Sequence, residues 1–338
     1  MNKKFRFAII GCGKIAQRHA AEATKHGDII AVCDIDKAKA DLLAGIYSST
    51  AYTDINTLLA ETKDIDIVAI CTPNGLHAEH SIKSLNAGSH VLCEKPMAIT
   101  SADAKKMIEA SEKNNKKLYV VKQNRFNPPV SYSRKLIEEN KLGRIINFQL
   151  NCFWNRPPAY YTNNWRGTKE MDGGIIYTQF SHFIDILYWF LGDVVSANGL
   201  RSNYMHKDCI EFEDAGIAML EMADKVTGTL NYSINSYAKN MEGSFTLFGE
   251  KGTIKIGGQY LNKLEYFSVE NEIYPELPDG NSSNNYGFYE GSMSNHDKVY
   301  DAFTKALIDP SYPIISAYET MKTVEIIEKI YKASPFLL

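Results

Sequence analysis

A glycine-rich turn near the start of the chain constrains the fold more than any other feature. The apolar run 5–10 leads directly into Gly11-Cys12-Gly13-Lys14-Ile15-Ala16, and an amphipathic segment, 14–26, follows. This is a GxGxxA pattern between a predicted strand and a predicted helix. In such a unit the first glycine permits the tight turn, the second lets the backbone approach a pyrophosphate, and the small third residue lets the helix pack closely. The turn therefore predicts a Rossmann-type βαβ unit whose helix N-terminus holds phosphates.

Asp34 supports the same prediction, because it ends the next apolar run, 29–33. An acid at this place accepts hydrogen bonds from ribose hydroxyls and repels a 2′-phosphate, so it predicts NAD rather than NADP. Two alternatives stay open. A short glycine pattern also occurs in ordinary turns, and an acid just before Asp36-Lys37 could instead cap the following helix.

The first third of the chain alternates short apolar runs with longer amphipathic ones, which predicts βαβ units and a parallel sheet. Ligands of such sheets bind at the carboxyl ends of the strands. The predicted strands are 5–10, 29–33, 67–70, 90–93 and 118–121, and the predicted helices are 14–26, 38–46, 76–87 and 101–114.

The pattern changes after Asn127-Pro128-Pro129. Successive strands broken by turn residues predict an α+β domain on a mostly antiparallel sheet. The predicted strands are 145–153, 215–220, 226–234, 244–248 and 253–256; the predicted helices are 130–140, 174–191, 294–307 and 317–333; and 275–289 is predicted to be a surface loop. We thus expect an α/β protein with a dinucleotide-binding Rossmann domain, 1–122, and a second domain, 123–338.

Composition excludes several classes of protein. The 338 residues carry a formal net charge of -3 without a basic patch, which argues against a nucleic-acid partner. None of the six cysteines forms a CxxC pair, so no metal site is expected. The chain shows neither a signal peptide nor an apolar run of the ~20 residues that a membrane helix needs. We therefore expect a cytoplasmic protein without disulfides and without a membrane partner.

Two segments at strand ends are candidates for the reactive part of the site. Thr72-Pro73-Asn74 and His77 follow the predicted strand 67–70, where such a loop borders the nicotinamide; separately these residues also suit an ordinary turn. Glu94-Lys95-Pro96 follows the strand 90–93. A lysine there can hydrogen-bond a substrate hydroxyl or take part in proton transfer, although Lys95 could equally pair with Glu94 at the surface.

A polar stripe marks the predicted helix 174–191. Thr178, His182 and Asp185 are spaced i, i+4, i+7, which places them on one side of a helix, away from most of its apolar residues. A lone histidine is usually structural, but Asp185, one turn on, could hold the imidazole of His182. His182 is therefore a candidate acid or base.

Together these motifs resemble the Gfo/Idh/MocA family of nicotinamide-dependent sugar oxidoreductases. The resemblance rests on GCGKIA, CTPNGLH, CEKP and GGIIYTQFSHFID, which occur in the family's order along essentially the whole chain. It implies a Rossmann domain followed by a domain with an open sheet, which often packs against another subunit in a homodimer or homotetramer. Lys95 matches the lysine of the family's EKP motif and His182 its active-site histidine, so these two are the expected catalytic residues.

One departure from the family pattern points to a branch. The family usually has an acid four residues before the histidine, and this chain has Thr178 followed by Gln179. That resembles the branch that oxidises UDP-N-acetylglucosaminuronic acid at C3, in nucleotide-sugar biosynthesis for surface polysaccharide such as lipopolysaccharide O-antigen. Gln123-Asn124-Arg125, Tyr160 and Trp165-Arg166 fit the same branch. The alternatives are a dehydrogenase of another sugar or polyol, an NAD-dependent redox glycosidase, and a non-catalytic NAD-binding sensor.

The resemblance and the residue chemistry together define two expected binding sets. The expected NAD-binding residues are Gly11, Gly13, Lys14, Ile15, Asp34, Thr72, Pro73, Asn74, His77, Glu94, Lys95 and Gln123. The expected residues for the nucleotide sugar are Lys95, Asn124, Arg125, Tyr160, Trp165, Arg166, Thr178, Gln179, His182 and His296.

Overall fold

The structure, a computed structural model, describes residues 4–162, 165–285, 287 and 290–337. It divides into two compact units: Met1–Val121 with His296–Val324, and Lys122–Asn295 with Glu325–Leu338. The first break lies one residue from the boundary expected from the sequence. The late segment 296–324, however, belongs to the first unit and not to the second, because its helix packs on the helix that follows the glycine-rich turn.

The first unit contains a six-stranded parallel sheet, as the alternating pattern predicts. Its order is β3-β2-β1-β4-β5-β6, so the direction of strand addition reverses between β1 and β4. In this topology the crevice at the reversal is the ligand-binding edge. The strands are β1 (Phe5–Ile10), β2 (Gly27–Cys33), β3 (Thr50–Tyr52), β4 (Ile67–Ile70), β5 (His90–Cys93) and β6 (Leu118–Val120).

Helices cover this sheet, and β4 is buried along its whole length, as expected of a strand covered on both faces. The short elements β3 and α3 were not predicted from the sequence, because neither is long enough to show a clear hydrophobic periodicity. The helices of the first unit that precede β6 are α1 (Lys14–His26), α2 (Lys37–Tyr47), α3 (Ile55–Glu61), α4 (His77–Asn86) and α5 (Ser101–Lys113).

The second unit is built on an eight-stranded sheet of order β13-β12-β11-β7-β10-β9-β8-β16. Most neighbours are antiparallel, as predicted, but β7 pairs with β10 and β8 with β16 in parallel. The strands are β7 (Ile145–Phe153), β8 (Val194–Ser202), β9 (Ala215–Met222), β10 (Thr227–Ser233), β11 (Glu242–Gly249), β12 (Gly252–Gly257), β13 (Lys263–Val269) and β16 (Phe336–Leu337).

One face of this sheet is covered and the other is open. Along β9, Ala218 and Leu220 are buried, whereas Ile217 and Met219 are 45% and 58% exposed. This alternation is that of an antiparallel sheet with one core face. We call the uncovered side of β8 and β9 the open face.

Two predictions about the second unit are wrong in detail. The helix expected over 174–191 is interrupted at Gln179 and Phe180, because Phe180 packs between Trp154 and Tyr232, with ring centroids 5.4 and 6.3 Å away. Part of the expected loop 275–289 is a strand, β14 (Ser283–Asn285), which pairs with β15 (Glu290–Met293).

The remaining helices are α6 (Pro128–Glu138), α7 (Ile175–Thr178), α8 (Ser181–Leu191), α9 (His296–Ile308) and α10 (Ala317–Ala333). In the part of the chain that the structure describes, no helix has both the length and the apolar character that a membrane crossing requires.

Candidate active site

The glycine-rich turn has the shape that a pyrophosphate needs. Gly11 has φ +90°, and a Cβ placed on it would lie 2.7 Å from the backbone of Cys71, so only glycine fits there. A Cβ on Gly13 would meet nothing within 4 Å, so there is open space above the turn. The N-terminus of α1 has no side-chain cap and no acid in its first turn. Its N–H groups and positive dipole end can therefore bind an anion.

Asp34 is held beside this turn by backbone hydrogen bonds. Its Oδ2 accepts the N–H of Cys12 at 2.7 Å, and its Oδ1 accepts the N–H of Asp36 at 2.8 Å. The cap of α2 is Asp36, whose side chain accepts the N–H of Ala38, so the capping alternative for Asp34 is wrong. Each carboxylate oxygen keeps acceptor capacity for a ribose hydroxyl.

Replacing Asp34 by Asn is expected to shift the ratio of the Kd values for NADP and NAD by about tenfold or more toward NADP. The reason is that a carboxylate repels a 2′-phosphate and an amide does not. Asp36→Asn is the matched control, because it removes an equal charge two residues away and leaves a good cap. Titration of both variants with NAD and NADP measures the ratio, and an unchanged ratio in Asp34→Asn would remove Asp34 from cofactor selection.

The loop after β4 is tied to the turn after β5 by a buried histidine. Nδ1 of His77 donates to the carbonyl of Pro96 at 2.6 Å, and Nε2 lies 2.9 Å from the carbonyl of Thr72. Burial lowers the pKa of His77, and the two carbonyls oppose that effect. The ring therefore positions the segment that contains the cis Lys95–Pro96 peptide. A direct contact of His77 with NAD stays a prediction.

Glu94 is the centre of a buried polar cluster behind Lys95. Its Oε1 accepts from Nε2 of His19 at 2.8 Å and from Nε2 of His296 at 3.1 Å, while Oε2 accepts the N–H of Lys95 at 3.1 Å. Burial alone would raise the pKa of Glu94, but the two histidines hold it well below its usual range. The carboxylate thus fixes the backbone that carries Lys95, whose side chain is half-buried.

His296 is buried in the first unit, where its ring lies against Glu94. The sequence places it in the substrate set, with helix capping as the alternative, and a contact of His296 with substrate stays a prediction. His19 was not identified from the sequence, where nothing separates it from other histidines in α1. His19, Glu94 and His296 have the atom types of metal ligands, within 4.8 Å of one another. Their N···O distances of 2.8 and 3.1 Å are those of ordinary hydrogen bonds, which account for the cluster without an ion.

In the second unit, His182 is buried next to two polar side chains. Its Nε2 lies 3.4 Å from Nε2 of Gln123 and 3.3 Å from Oγ of Ser292, and Gln123 donates to the same Oγ at 3.1 Å. In the tautomer that carries its proton on Nδ1, Nε2 of His182 accepts in these contacts and can receive a proton. Ser292 was missed because it lies on β15, just beyond a segment that the composition marks as a loop.

The side-chain amide of Asn124 is buried and makes no hydrogen bond among the described residues. It is 2% exposed, and neither its Oδ1 nor its Nδ2 has a partner. Oε1 of the adjacent Gln123 also lacks one. Leaving such groups unsatisfied is costly, about 1–3 kcal/mol each. A buried polar group without a protein partner binds water or a ligand, so these two consecutive residues are candidates for contact with a polar ligand.

Asp185 has two cationic partners that the sequence did not predict. Both its oxygens accept from Arg125, through Nε and Nη2 at 2.8 Å each, and Oδ1 also lies 2.8 Å from Nζ of Lys122. Burial would raise the pKa of Asp185, but Arg125 and Lys122 hold it well below its usual range. Arg125 thus has a structural role, and its contact with substrate stays a prediction, as does a contact of Asp185 with His182.

Cations and aromatic rings meet between β7 and α7. Nε of Arg156 donates to Oε1 of Gln179 at 2.8 Å, and Nε2 of Gln179 donates to the hydroxyl of Tyr160 at 3.0 Å. The guanidinium of Arg166 lies 4.8 Å from the ring centroid of Tyr160 and 4.7 Å from that of Trp165. Three expected substrate residues, Tyr160, Trp165 and Arg166, are thus brought together. Arg156 is buried and also donates to Asn155, Asn240 and Glu290. Arg166 is therefore the cation of this cluster that can bind phosphate or carboxylate against aromatic walls.

Thr178 forms a hydrogen bond with the carboxylate of Asp172, six residues earlier in the chain. Its Oγ1 donates to Oδ1 of Asp172, and Oδ2 of Asp172 accepts the N–H of Gly167 at 3.0 Å. Burial raises the pKa of Asp172 to about 6, with Thr178 and Gly167 opposing that effect. The sequence placed Asp172 beside the glycine pair Gly173-Gly174 but did not assign it a role.

A parallel sheet of Rossmann order, a glycine-rich turn open to phosphate and a buried polar cluster define a nicotinamide-dependent oxidoreductase. Residues 5–122 match the oxidoreductase family with an NAD-binding Rossmann fold, and residues 130–255 match the GFO/IDH/MocA C-terminal domain. The chain therefore belongs to the Gfo/Idh/MocA family. This confirms the expected fold and NAD as the cofactor.

Individual relatives show the kind of substrate. The WlbA dehydrogenase from Chromobacterium violaceum, solved with NADH and UDP-GlcNAcA, is 33% identical with a TM-score of 0.88 over 98% of this chain and 94% of its own. D-Glucoside 3-dehydrogenase of Escherichia coli K12 is 30% identical over 72% of this chain and 70% of its own length. Levoglucosan dehydrogenase of Pseudarthrobacter phenanthrenivorans is 27% identical over 61% of this chain, and the match spans 59% of that relative. The chain is thus an NAD-dependent dehydrogenase of the sugar or polyol kind.

Proposed function

We propose that the protein oxidises the C3 hydroxyl of UDP-N-acetylglucosaminuronic acid with NAD. The observation that carries this proposal is the likeness, at 33% identity over 98% of the chain, to a dehydrogenase solved with NADH and UDP-GlcNAcA. The cluster of Arg166, Tyr160 and Trp165 supports it, because a diphosphate and a carboxylate need a cation in a chain whose net charge is -3. The unsatisfied amide of Asn124 supports a polar ligand.

In the proposed reaction, separate residues bind the cofactor and accept the proton. Gly11, Gly13 and the N-terminus of α1 would hold the pyrophosphate of NAD, and Asp34 would bind its adenosine ribose. Bound NAD would supply the acceptor for the hydride that leaves C3 of the sugar. The proton of the oxidised hydroxyl passes to His182 or Lys95, either of which can act as a general base. His182 offers Nε2 as the acceptor, and the backbone of Lys95 is fixed by Glu94.

Replacing Arg166 by alanine is expected to raise KM for the nucleotide sugar by about 10- to 100-fold and to change KM for NAD little. Hydrogen bonds to charged groups contribute about 1.5–3 kcal/mol, which corresponds to this range. Arg144→Ala is the matched control, because Arg144 is 75% exposed and pairs only at the surface with Glu250 among the described residues. Steady-state kinetics with each substrate varied in turn gives both constants. Equal rises in the two would contradict a specific role for Arg166.

A dehydrogenase of a neutral sugar is the second candidate, since the relatives include D-glucoside 3-dehydrogenase and levoglucosan dehydrogenase. Oxidation of free sugars, glucosides or inositol, with none of the UDP-uronic acid, would favour it and leave the enzyme class unchanged. A redox glycosidase would turn over glycosides without net NADH. A non-catalytic sensor would turn over nothing, and the presence of both Lys95 and His182 counts against it.

We also propose that the protein forms a homodimer or homotetramer through the open face. Leu200 and Ile217 are paired across β8 and β9, are 46% and 45% exposed, and lie near Met219. Apolar side chains grouped on an uncovered sheet are typical of an interface. Light scattering at micromolar concentration is expected to show that the wild type is a dimer or a larger assembly. The Met219→Arg substitution is expected to shift this equilibrium toward the monomer. A monomeric wild type would contradict this assembly.

A further inference from the structure

Asp172 is a buried carboxylate to which the proposed chemistry assigns no role. It is 1% exposed and lies three residues before the start of α7. Its Oδ2 accepts the N–H of Gly167 at 3.0 Å, and its Oδ1 accepts the hydroxyl of Thr178. Burying a carboxylate is unfavourable unless it is hydrogen-bonded, and both oxygens of Asp172 accept hydrogen bonds from protein donors.

The direction of the hydrogen bond from Thr178 follows from these partners. Carboxylate and carbonyl oxygens can only accept, and the backbone carbonyl of Asp172 lies 3.2 Å from the same hydroxyl. The hydroxyl proton of Thr178 is therefore donated to Asp172. Toward any further group, the oxygen of Thr178 can act only as an acceptor.

We propose that Thr178 accepts a hydrogen bond from a hydroxyl of the sugar, and that Asp172 is the positioning residue that fixes Thr178 in this polarity. The inference rests on the proposed function in taking the segment from Thr178 to His182 as substrate-binding. It adds a specificity rule: at the position that contacts Thr178, the enzyme prefers a free hydroxyl over a methoxy or deoxy carbon. A site built to pair with a hydroxyl rejects analogues that lack it, because a buried polar atom is then left without a partner.

The charge on Asp172 depends on the groups that face it. Arg166 is the cation that acts on it, and Tyr161 is the neighbouring phenol, whose pKa is raised by burial and by the carboxylate of Asp172. The pKa of Asp172, about 6, is above its ordinary value because of burial. Below that pH the protonated acid can donate to the oxygen of Thr178 and compete there with the sugar hydroxyl, while the hydroxyl of Thr178 keeps the backbone carbonyl of Asp172 as its acceptor. We therefore expect kcat/KM to fall as the pH drops below about 6.

Asp172→Asn tests the polarity directly. The single acceptor oxygen of the new amide is best used on the N–H of Gly167, which cannot turn, so the amide nitrogen faces Thr178 and donates to its oxygen in competition with the sugar hydroxyl. The expected result is a loss of about 10- to 100-fold in kcat/KM for the sugar, at unchanged Kd for NAD, and an acidic limb of kcat/KM that lacks the contribution of Asp172. Thr178→Val is expected to give a similar loss, Thr178→Ser to retain most activity, and the double variant Asp172→Asn/Thr178→Val to be no worse than either single one.

Asp224→Asn, in the exposed turn after β9, is the control for removing an acid. The variants are compared on whichever sugar the wild type oxidises, so rejection of UDP-uronic acid would remove the proposed substrate and leave this comparison intact. Wild-type kcat/KM in Thr178→Val, additive losses in the double variant, or an acidic limb of kcat/KM that is the same in Asp172→Asn as in the wild type would each overturn the inference. If Asp172→Asn does not fold, the Val and Ser variants and the methoxy and deoxy substrate analogues decide it.

Discussion

Replacing Lys95 or His182 by alanine is expected to lower kcat about 10²- to 10⁴-fold while leaving the Kd for NAD nearly unchanged. A positioned acid or base contributes a factor of this size. Neither residue belongs to the turn that holds the pyrophosphate, so cofactor binding through Gly11, Gly13 and α1 is retained. Stopped-flow and steady-state measurements of NADH formation give kcat, and fluorescence titration gives the Kd.

The two variants also show which residue is the base. The residue that accepts the proton sets the acidic limb of the pH–rate profile, because its protonated form cannot receive one. The variant that loses this limb has lost the base. Lys113→Ala, at the exposed end of α5, is the control for lysine removal. Wild-type turnover in both alanine variants would show that neither residue takes part in the chemistry.

Replacing Asp185 by alanine is expected to lower the free energy of unfolding of the second unit by about 3–5 kcal/mol. Asp185 is 2% exposed and compensates two buried cations, Arg125 and Lys122, so its removal leaves both charges without that carboxylate. Because the folded pKa lies below the unfolded value of about 3.9, the stabilisation is complete above that pH and is lost as the pH falls. Urea unfolding near pH 7 and near pH 3 measures both effects.

Asp224→Ala is the matched control, since it removes an exposed acid of the same unit and is expected to change stability by less than about 0.5 kcal/mol. The difference between the wild type and Asp185→Ala should shrink as the pH falls. A loss below about 1 kcal/mol near neutral pH, or one that does not depend on pH, would show that the cluster is not an ionised buried network.

The parts of the fold that could be predicted from the sequence are those set by local pattern. The bounds of β1, α1, β4 and β5 agree with the predicted segments, because buried parallel strands are short apolar runs and α1 begins at the glycine-rich turn. Asp34 lies beside that turn for the same local reason. The break between α7 and α8 follows instead from the packing of Phe180 against Trp154, which is distant in the sequence.

Polar contacts between distant segments were the least predictable part of the site. His296 meets Glu94 from 202 residues away, and Arg125 meets Asp185 from 60. Spacing along the sequence does not identify either partner, because several acids in the chain could pair equally well with the same basic side chain. Helical spacing suggested Asp185 as the partner of His182, but long-range packing gave it two cations. Asp172 and Thr178, six residues apart, are a case that turn geometry near Gly173 and Gly174 could have suggested.

The most direct test of the central claim follows a deuterium from the sugar to the cofactor. Purified enzyme is incubated with NAD and UDP-N-acetylglucosaminuronic acid carrying deuterium at C3, the protein is denatured, and the released nucleotide is analysed by mass spectrometry; unlabelled substrate is the control. The measurement also works when NADH stays bound. We predict NADH that carries the deuterium. Unlabelled NADH would show oxidation at another carbon, and no NADH with this substrate but NADH with neutral sugars would contradict the proposed substrate.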